Sequence, residues 1–272
     1  QMCIRDRTYT TLAAIVKYPW SSARAPESGK FGYFQSERET YLDVANYLGI
    51  LPVDPATGHY VRHPLVYLVE AADDICYQVM DVEDAYKLRI LSYERTVDLL
   101  LRYFLAESHD HALATLETIG DRNERIAYLR AKAINILVEA CAEVFIEHEE
   151  EILRGAFTGT LVSQMPKRLY AAYRDNSEVA QSEIYTARAV IDVELAGHRI
   201  FSELIDKLMH SLLLPDDAYS RTLLSLVSSQ YNLHEASIYG KLQCTLDYIS
   251  GMTDPYALDL YRRITGMNLP AI

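Results

Sequence analysis

Long apolar runs are missing from this 272-residue chain. No stretch approaches the roughly 18 consecutive apolar residues of a membrane span, and no signal-peptide core stands near the N-terminus, so no membrane partner and no secretory leader is expected. Cysteine is scarce: Cys3, Cys76, Cys141 and Cys244 are far apart and form no Cys-x-x-Cys pair. That speaks against a zinc ribbon or a dithiol redox centre and suits reduced thiols in a cytoplasmic protein. With only 11 glycines and 9 prolines, collagen-like and elastic chains are excluded. Positive charge is in deficit, 26 Lys and Arg against 38 Asp and Glu for a net charge of -12, so no basic footprint for nucleic acid covers the surface. A local patch for single-stranded DNA stays open. What the chain does have is 50% hydrophobic residues, enough to bury a core and to exclude broad disorder.

Residues 1–7, Gln1-Met2-Cys3-Ile4-Arg5-Asp6-Arg7, share no pattern with the residues from Thr8 onward and read as a non-native leader joined to an incomplete frame. A short apolar run from Thr8 to Val16 ends at Lys17-Tyr18-Pro19-Trp20, where proline breaks a helix, and 21–34 reads as a loop. Ser36 with Glu39 has the spacing of a capping box, and Tyr41, Val44, Ala45 and Leu48 then recur at helical spacing up to Gly49. After a turn-rich stretch over 51–63, Pro64 stands at a favourable first helical position; the apolar periodicity runs to Met80 and, after a break, beyond. Further helices are predicted over 86–107, 121–152, 177–213, 218–226 and 237–249, with separators at 109–111, 155–159, 214–217 and 251–255. Alternating β-branched runs are few, so the fold class is all-α, with no linker or internal repeat marking a domain boundary. The acidic run His148-Glu149-Glu150-Glu151 reads as a solvated helix face.

The helix at Pro64 carries the chemistry. Glu70, Asp73, Tyr77, Asp81 and Asp84 are three or four residues apart and project from one side. Taken alone, acids at this spacing read as the wet face of an amphipathic helix. Two features point elsewhere: apolar residues surround nearly the whole circumference, as in a buried helix, and no Lys or Arg occurs at helical spacing before Lys87. Carboxylates so placed need neutralising by a metal ion or a cationic pocket.

Arg62-His63-Pro64-Leu65, Glu70-Ala71-Ala72-Asp73-Asp74-Ile75-Cys76-Tyr77 and Asp81-Val82-Glu83-Asp84 together resemble the bacterial deoxyguanosine triphosphate triphosphohydrolases (dGTPases) of the HD phosphohydrolase superfamily. Two more blocks fit in the same order: Lys17-Tyr18-Pro19 with Lys30-Phe31-Gly32-Tyr33-Phe34-Gln35-Ser36-Glu37 upstream, and Asp247-Tyr248-Ile249-Ser250-Gly251-Met252-Thr253-Asp254 downstream. The resemblance implies a multi-helix HD-domain-like fold lacking its N-terminal helices, with 8–272 as the C-terminal part of a single such domain. It implies Asp73 as a metal ligand, Tyr77 packed against the deoxyribose, and Asp81 as acceptor for the 3'-hydroxyl. It also implies Lys17, Tyr18 and Lys30 as ligands of the triphosphate, a role that suits lysines against a tetra-anion. Mg2+ is the expected ion, with Mn2+ or another divalent ion as alternatives, and a homo-oligomer is the expected assembly.

In that family the other metal ligands, a histidine and a His-Asp dipeptide, precede the Lys17 block. Residues 1–7 do not supply them, so the catalytic residues are expected in a missing N-terminal section and the chain is expected to be inactive alone. His109-Asp110 comes after Asp73 and is expected in a helix connection, which makes it a decoy, and Pro64 keeps His59 and His63 off a shared helical face. Pro255 departs from the family pattern, and Thr253 or Asp254 reads as a helix N-cap. For the complete protein the expected reaction is hydrolysis of dGTP or another deoxynucleoside triphosphate to deoxynucleoside and tripolyphosphate, with Asp73, Tyr77 and Asp81 turned into a cavity that also receives Lys17 and Lys30. A non-catalytic nucleotide-binding or oligomer-forming helical protein is the alternative.

Overall fold

In the computed structural model, which describes residues 7–24, 29–54 and 56–267, the helical periodicity of the sequence becomes thirteen α-helices and one two-stranded sheet among the described residues. The all-α expectation holds. The leader expected over 1–7 lies, except for Arg7, outside the described residues. Two compact units emerge, 7–187 and 188–267.

The first unit opens with α1 (Tyr9–Ala14), started by the Thr8 hydroxyl accepting from the Thr11 amide. A 3-10 turn over Gln35–Glu37 leads into α2 (Arg38–Leu48). The acid that ties down this entry is Glu37, whose carboxylate accepts from the Phe34 amide at 2.9 Å, so the capping box expected at Ser36 and Glu39 sits elsewhere. Gly49 ends α2 with a φ of 66°, a left-handed conformation that glycine adopts at no steric cost. The turn-rich stretch holds β1 (Pro52–Asp54) and β2 (His59–Tyr60), antiparallel with Pro52 opposite Tyr60 and Asp54 opposite His59.

α3 (Pro64–Lys87) begins where expected: the ring of Pro64 fits the first turn, and His63 Nδ1 accepts from the Leu65 amide at 3.2 Å. It runs unbroken to Lys87. The helix expected over 86–107 is instead a turn with Arg89 at a φ of 60°, then α4 (Tyr93–Leu101) capped by Ser92, then the start of α5 (Ala106–Thr118). His109 and Asp110 therefore lie inside α5, not in a connection. Asp121 caps α6 (Arg122–Glu147) by accepting from the Asn123 and Glu124 amides; a break at His148 separates it from α7 (Glu149–Leu153). The glutamates of the acidic run are solvated as expected, Glu150 pairing with Arg154 and Glu151 with His148.

Two helices escaped the sequence pattern, α8 (Leu161–Gln164) and α9 (Lys167–Val179). Arg168 of α9 donates to the carbonyls of Arg102, Tyr103 and Phe104, which satisfies the backbone acceptors at the end of α4. A π-turn over Ala180–Ile184 comes next, so the helix expected over 177–213 is two helices. The main core of this unit packs α6 along α3 and closes with α4, α8 and α9; Val79, Leu99, Leu129, Ala133, Leu137 and Leu161 are fully buried. A smaller cluster joins α1, α2 and the sheet through Ala13, Tyr33, Tyr41, Val44 and Tyr60.

The second unit comprises α10 (Arg188–Leu213), α11 (Ala218–Leu224), α12 (Ile238–Ser250) and α13 (Asp254–Ile264). Leu204 and Leu208 of α10 pack on Leu223, Tyr248, Ile249, Ala257 and Leu260. Ser237 and Asp217 supply side-chain caps to α12 and α11. Thr253 occupies the N-cap of α13 without a side-chain hydrogen bond, and Pro255 sits in its first turn, where a missing N–H costs nothing.

Candidate functional site around α3

Two loops meet at the start of the candidate site. The Trp20 indole donates to the Lys30 carbonyl at 2.8 Å, and the Gly32 amide donates to the Trp20 carbonyl at 3.1 Å. Gly32 allows this approach, since a side chain there would collide with the Tyr18 carbonyl and Val16. The Lys30 ammonium consequently stands 5.7 Å from the Tyr18 ring centroid, in cation–π range. Lys17, Tyr18 and Lys30, separated by up to 13 positions in sequence, are thus parts of one loop pair.

Lys17 joins that pair to α3. Its Nζ lies 3.0 Å from Glu70 Oε1, while Arg62 Nη1 donates to Glu70 Oε2 at 3.0 Å. The Glu70 side chain is only 4% exposed, and two cations satisfy its two oxygens. Burial works against the charge on Lys17, yet the hydrogen bond to Glu70 and the fields of Glu70 and Asp74 outweigh it, so its pKa rises above that of ordinary lysine. Asp74, half-buried, is raised above the carboxylate range first by burial; Lys17 opposes the shift, and Glu70 and Asp73 add to it. The guanidinium of Arg62 also stacks 5.6 Å from the ring of Tyr67, whose hydroxyl donates to the Phe157 carbonyl.

Further along α3, Asp81 accepts from the Tyr185 hydroxyl at 2.5 Å. Burial and then the Asp81 carboxylate push the Tyr185 phenol far up, so it stays a donor. A second buried acid, Glu83, pairs with Arg130 at 2.7 Å and Lys87 at 3.1 Å. The cations that neutralise the α3 acids therefore come largely from other segments, which the spacing along α3 did not reveal.

Other expectations need correction. The polar residues of α3 do not share one environment: Glu70 is buried, Asp81 half-buried, and Asp73, Tyr77 and Asp84 are exposed, Tyr77 at 64%. Asp73 and Tyr77 are not turned into a cavity among the described residues. They lie on the side of α3 roughly opposite the buried arc, which is centred on Ala71, Ile75, Val79 and Val82. Nor is α3 buried all round, since Leu65, Val69, Ala72, Cys76 and Met80 form an exposed side. Among the described residues no group of three or more His, Cys, Asp or Glu side chains could hold a metal ion. Asp73 by itself does not fit a divalent ion, which takes several protein ligands. Among the described residues, no helix is long and apolar enough to cross a membrane.

The sequence of this chain matches known proteins along most of its length. A family model described as the phosphohydrolase-associated domain covers residues 163–263. A protein of Synechocystis sp. named deoxyguanosinetriphosphate triphosphohydrolase-like protein is 30% identical over 96% of this chain and 60% of its own length. One with the same name from Pseudomonas aeruginosa PAO1 is 30% identical over 97% of this chain and 61% of its own. The deoxyguanosinetriphosphate triphosphohydrolase of Salmonella enteritidis PT4 is 28% identical over 94% and 59%. Along most of its length the chain is similar to these triphosphohydrolases, and its all-α architecture is consistent with an HD-like fold. It spans about three fifths of the length of the curated relatives it matches.

Proposed function

We propose that the protein containing this chain hydrolyses dGTP or a related deoxynucleoside triphosphate to the deoxynucleoside and tripolyphosphate. The observation that carries this is the lysine and tyrosine loop pair held against α3 beside its acidic stripe, in a chain with triphosphohydrolase relatives. Lys17 and Lys30 meet the triphosphate, and their fixed charges offset the negative charge that gathers on the departing tripolyphosphate. Tyr18 supports Lys30 from below. Asp81, with one oxygen held by Tyr185, presents the other to the sugar 3'-hydroxyl. Tyr77, standing free of the core, lies along the deoxyribose and crowds the 2' position against ribose.

Asp73 is the proposed metal ligand in this stretch, for Mg2+ or another divalent ion whose remaining ligands lie outside the described residues. The exposed side of α3 that carries Asp73 and Tyr77 is open to such a covering part. The favoured assembly is a homo-oligomer in the cytoplasm. The test is product analysis by the whole protein supplied with dGTP and Mg2+. Deoxyguanosine and tripolyphosphate in equal amounts are expected; dGMP with pyrophosphate, or no turnover, would overturn the proposal.

A further inference from the structure

We propose that Glu70 is a positioning residue that aims Lys17 at the triphosphate, an inference that rests on the proposed nucleotide site. A lysine on a loop has a flexible stem and loses side-chain entropy when one position is fixed. Here the buried Glu70 carboxylate fixes it at 3.0 Å, on the first α3 turn before Asp73. Glu70 is itself fixed from the other side by Arg62, which rests on the Tyr67 ring. Tyr67 in turn is tied to the Phe157 carbonyl, so the chain of contacts ends in the core. The cluster of Lys17, Arg62 and Glu70 carries two positive charges and one negative, and this surplus lets Lys17 take an anion while still paired. Asp74 faces the same ammonium, a second acid of α3 that helps hold it charged in place.

The sign of one substitution separates positioning from plain charge. Glu70→Gln makes the cluster more positive by one unit, so simple Coulomb attraction would tighten anion binding. Positioning demands the reverse. Tripolyphosphate binding is read by calorimetry on the whole protein, natively and as Lys17→Met, Lys30→Met, Glu70→Gln and Lys17→Met/Glu70→Gln, with thermal melting to confirm the fold. Glu70→Gln is expected to weaken binding about tenfold, and in the Lys17→Met background to add less than about twofold, because coupled residues are non-additive. Unchanged or tighter binding in Glu70→Gln overturns the inference. So does a double variant that binds more than about twofold more weakly than Lys17→Met, a comparison that holds even if Glu70→Gln alone does not fold. If the whole protein does not bind tripolyphosphate, or neither lysine variant weakens it, the nucleotide site itself fails; if Lys17 matters and Glu70 does not, only the positioning role fails.

Discussion

Replacing Asp73 by Ala in the whole protein is expected to lower dGTP turnover at least about 100-fold, beyond the 10–100-fold that losing an outer-shell partner costs at a metal site. The same variant should melt like the native protein. Asp73 is exposed on α3, apart from the buried ion pairs of Glu70 and Glu83, so its removal should shift stability by no more than about 0.5 kcal/mol. Loss of activity with an unchanged melting curve assigns the effect to the site. Turnover that persists would remove Asp73 as a ligand, and the metal would then have to be sought away from α3.

Leu129→Ala tests the scaffold instead. Leu129 is fully buried in α6 at the seam with α3, where the packing between helices is most extensive. Truncation leaves a cavity that the surrounding helices fill only in part, and the expected loss is about 3 kcal/mol. Urea denaturation should show a lower midpoint with an unchanged slope, because the surface exposed on unfolding is nearly the same. A loss below about 1 kcal/mol would mean that α6 does not seat on α3 as described. Since Glu83 of α3 pairs with Arg130, the neighbour of Leu129, this seam also sets the rotation of α3 about its axis.

How far the sequence announced this arrangement depends on the range of the interactions involved. The start of α3 was legible because Pro64 and His63 act within one turn. The same holds for the helix starts near Asp121 and Ser237 and for the breaks around 155–159 and 214–217. The division of 86–107 was hidden, because Arg89 takes the left-handed conformation without glycine. The π-turn at Ala180–Ile184 was equally silent, having neither glycine nor proline to mark it. At the site, the lack of basic partners along α3 correctly signalled that the acids need outside help. It could not say that Glu70 takes Lys17 and Arg62, that Glu83 takes Arg130, or that Tyr185 closes on Asp81 across 104 positions. Nor could helical spacing show which members of the stripe fall within the buried arc; that depends on how neighbouring helices roll against α3, and it left Asp73 and Tyr77 outside.

The nucleotide's place along α3 is tested most directly by sugar discrimination. In the whole protein, kcat/KM for dGTP and GTP is measured for the native form and for Tyr77→Ala. If Tyr77 crowds the 2' position, the native preference for dGTP should be roughly 100-fold, the scale at which an apolar surface rejects an added hydroxyl, and it should fall at least tenfold in the variant. A ratio that Tyr77→Ala leaves unchanged would contradict this placement, because the deoxyribose would then lie somewhere other than against α3.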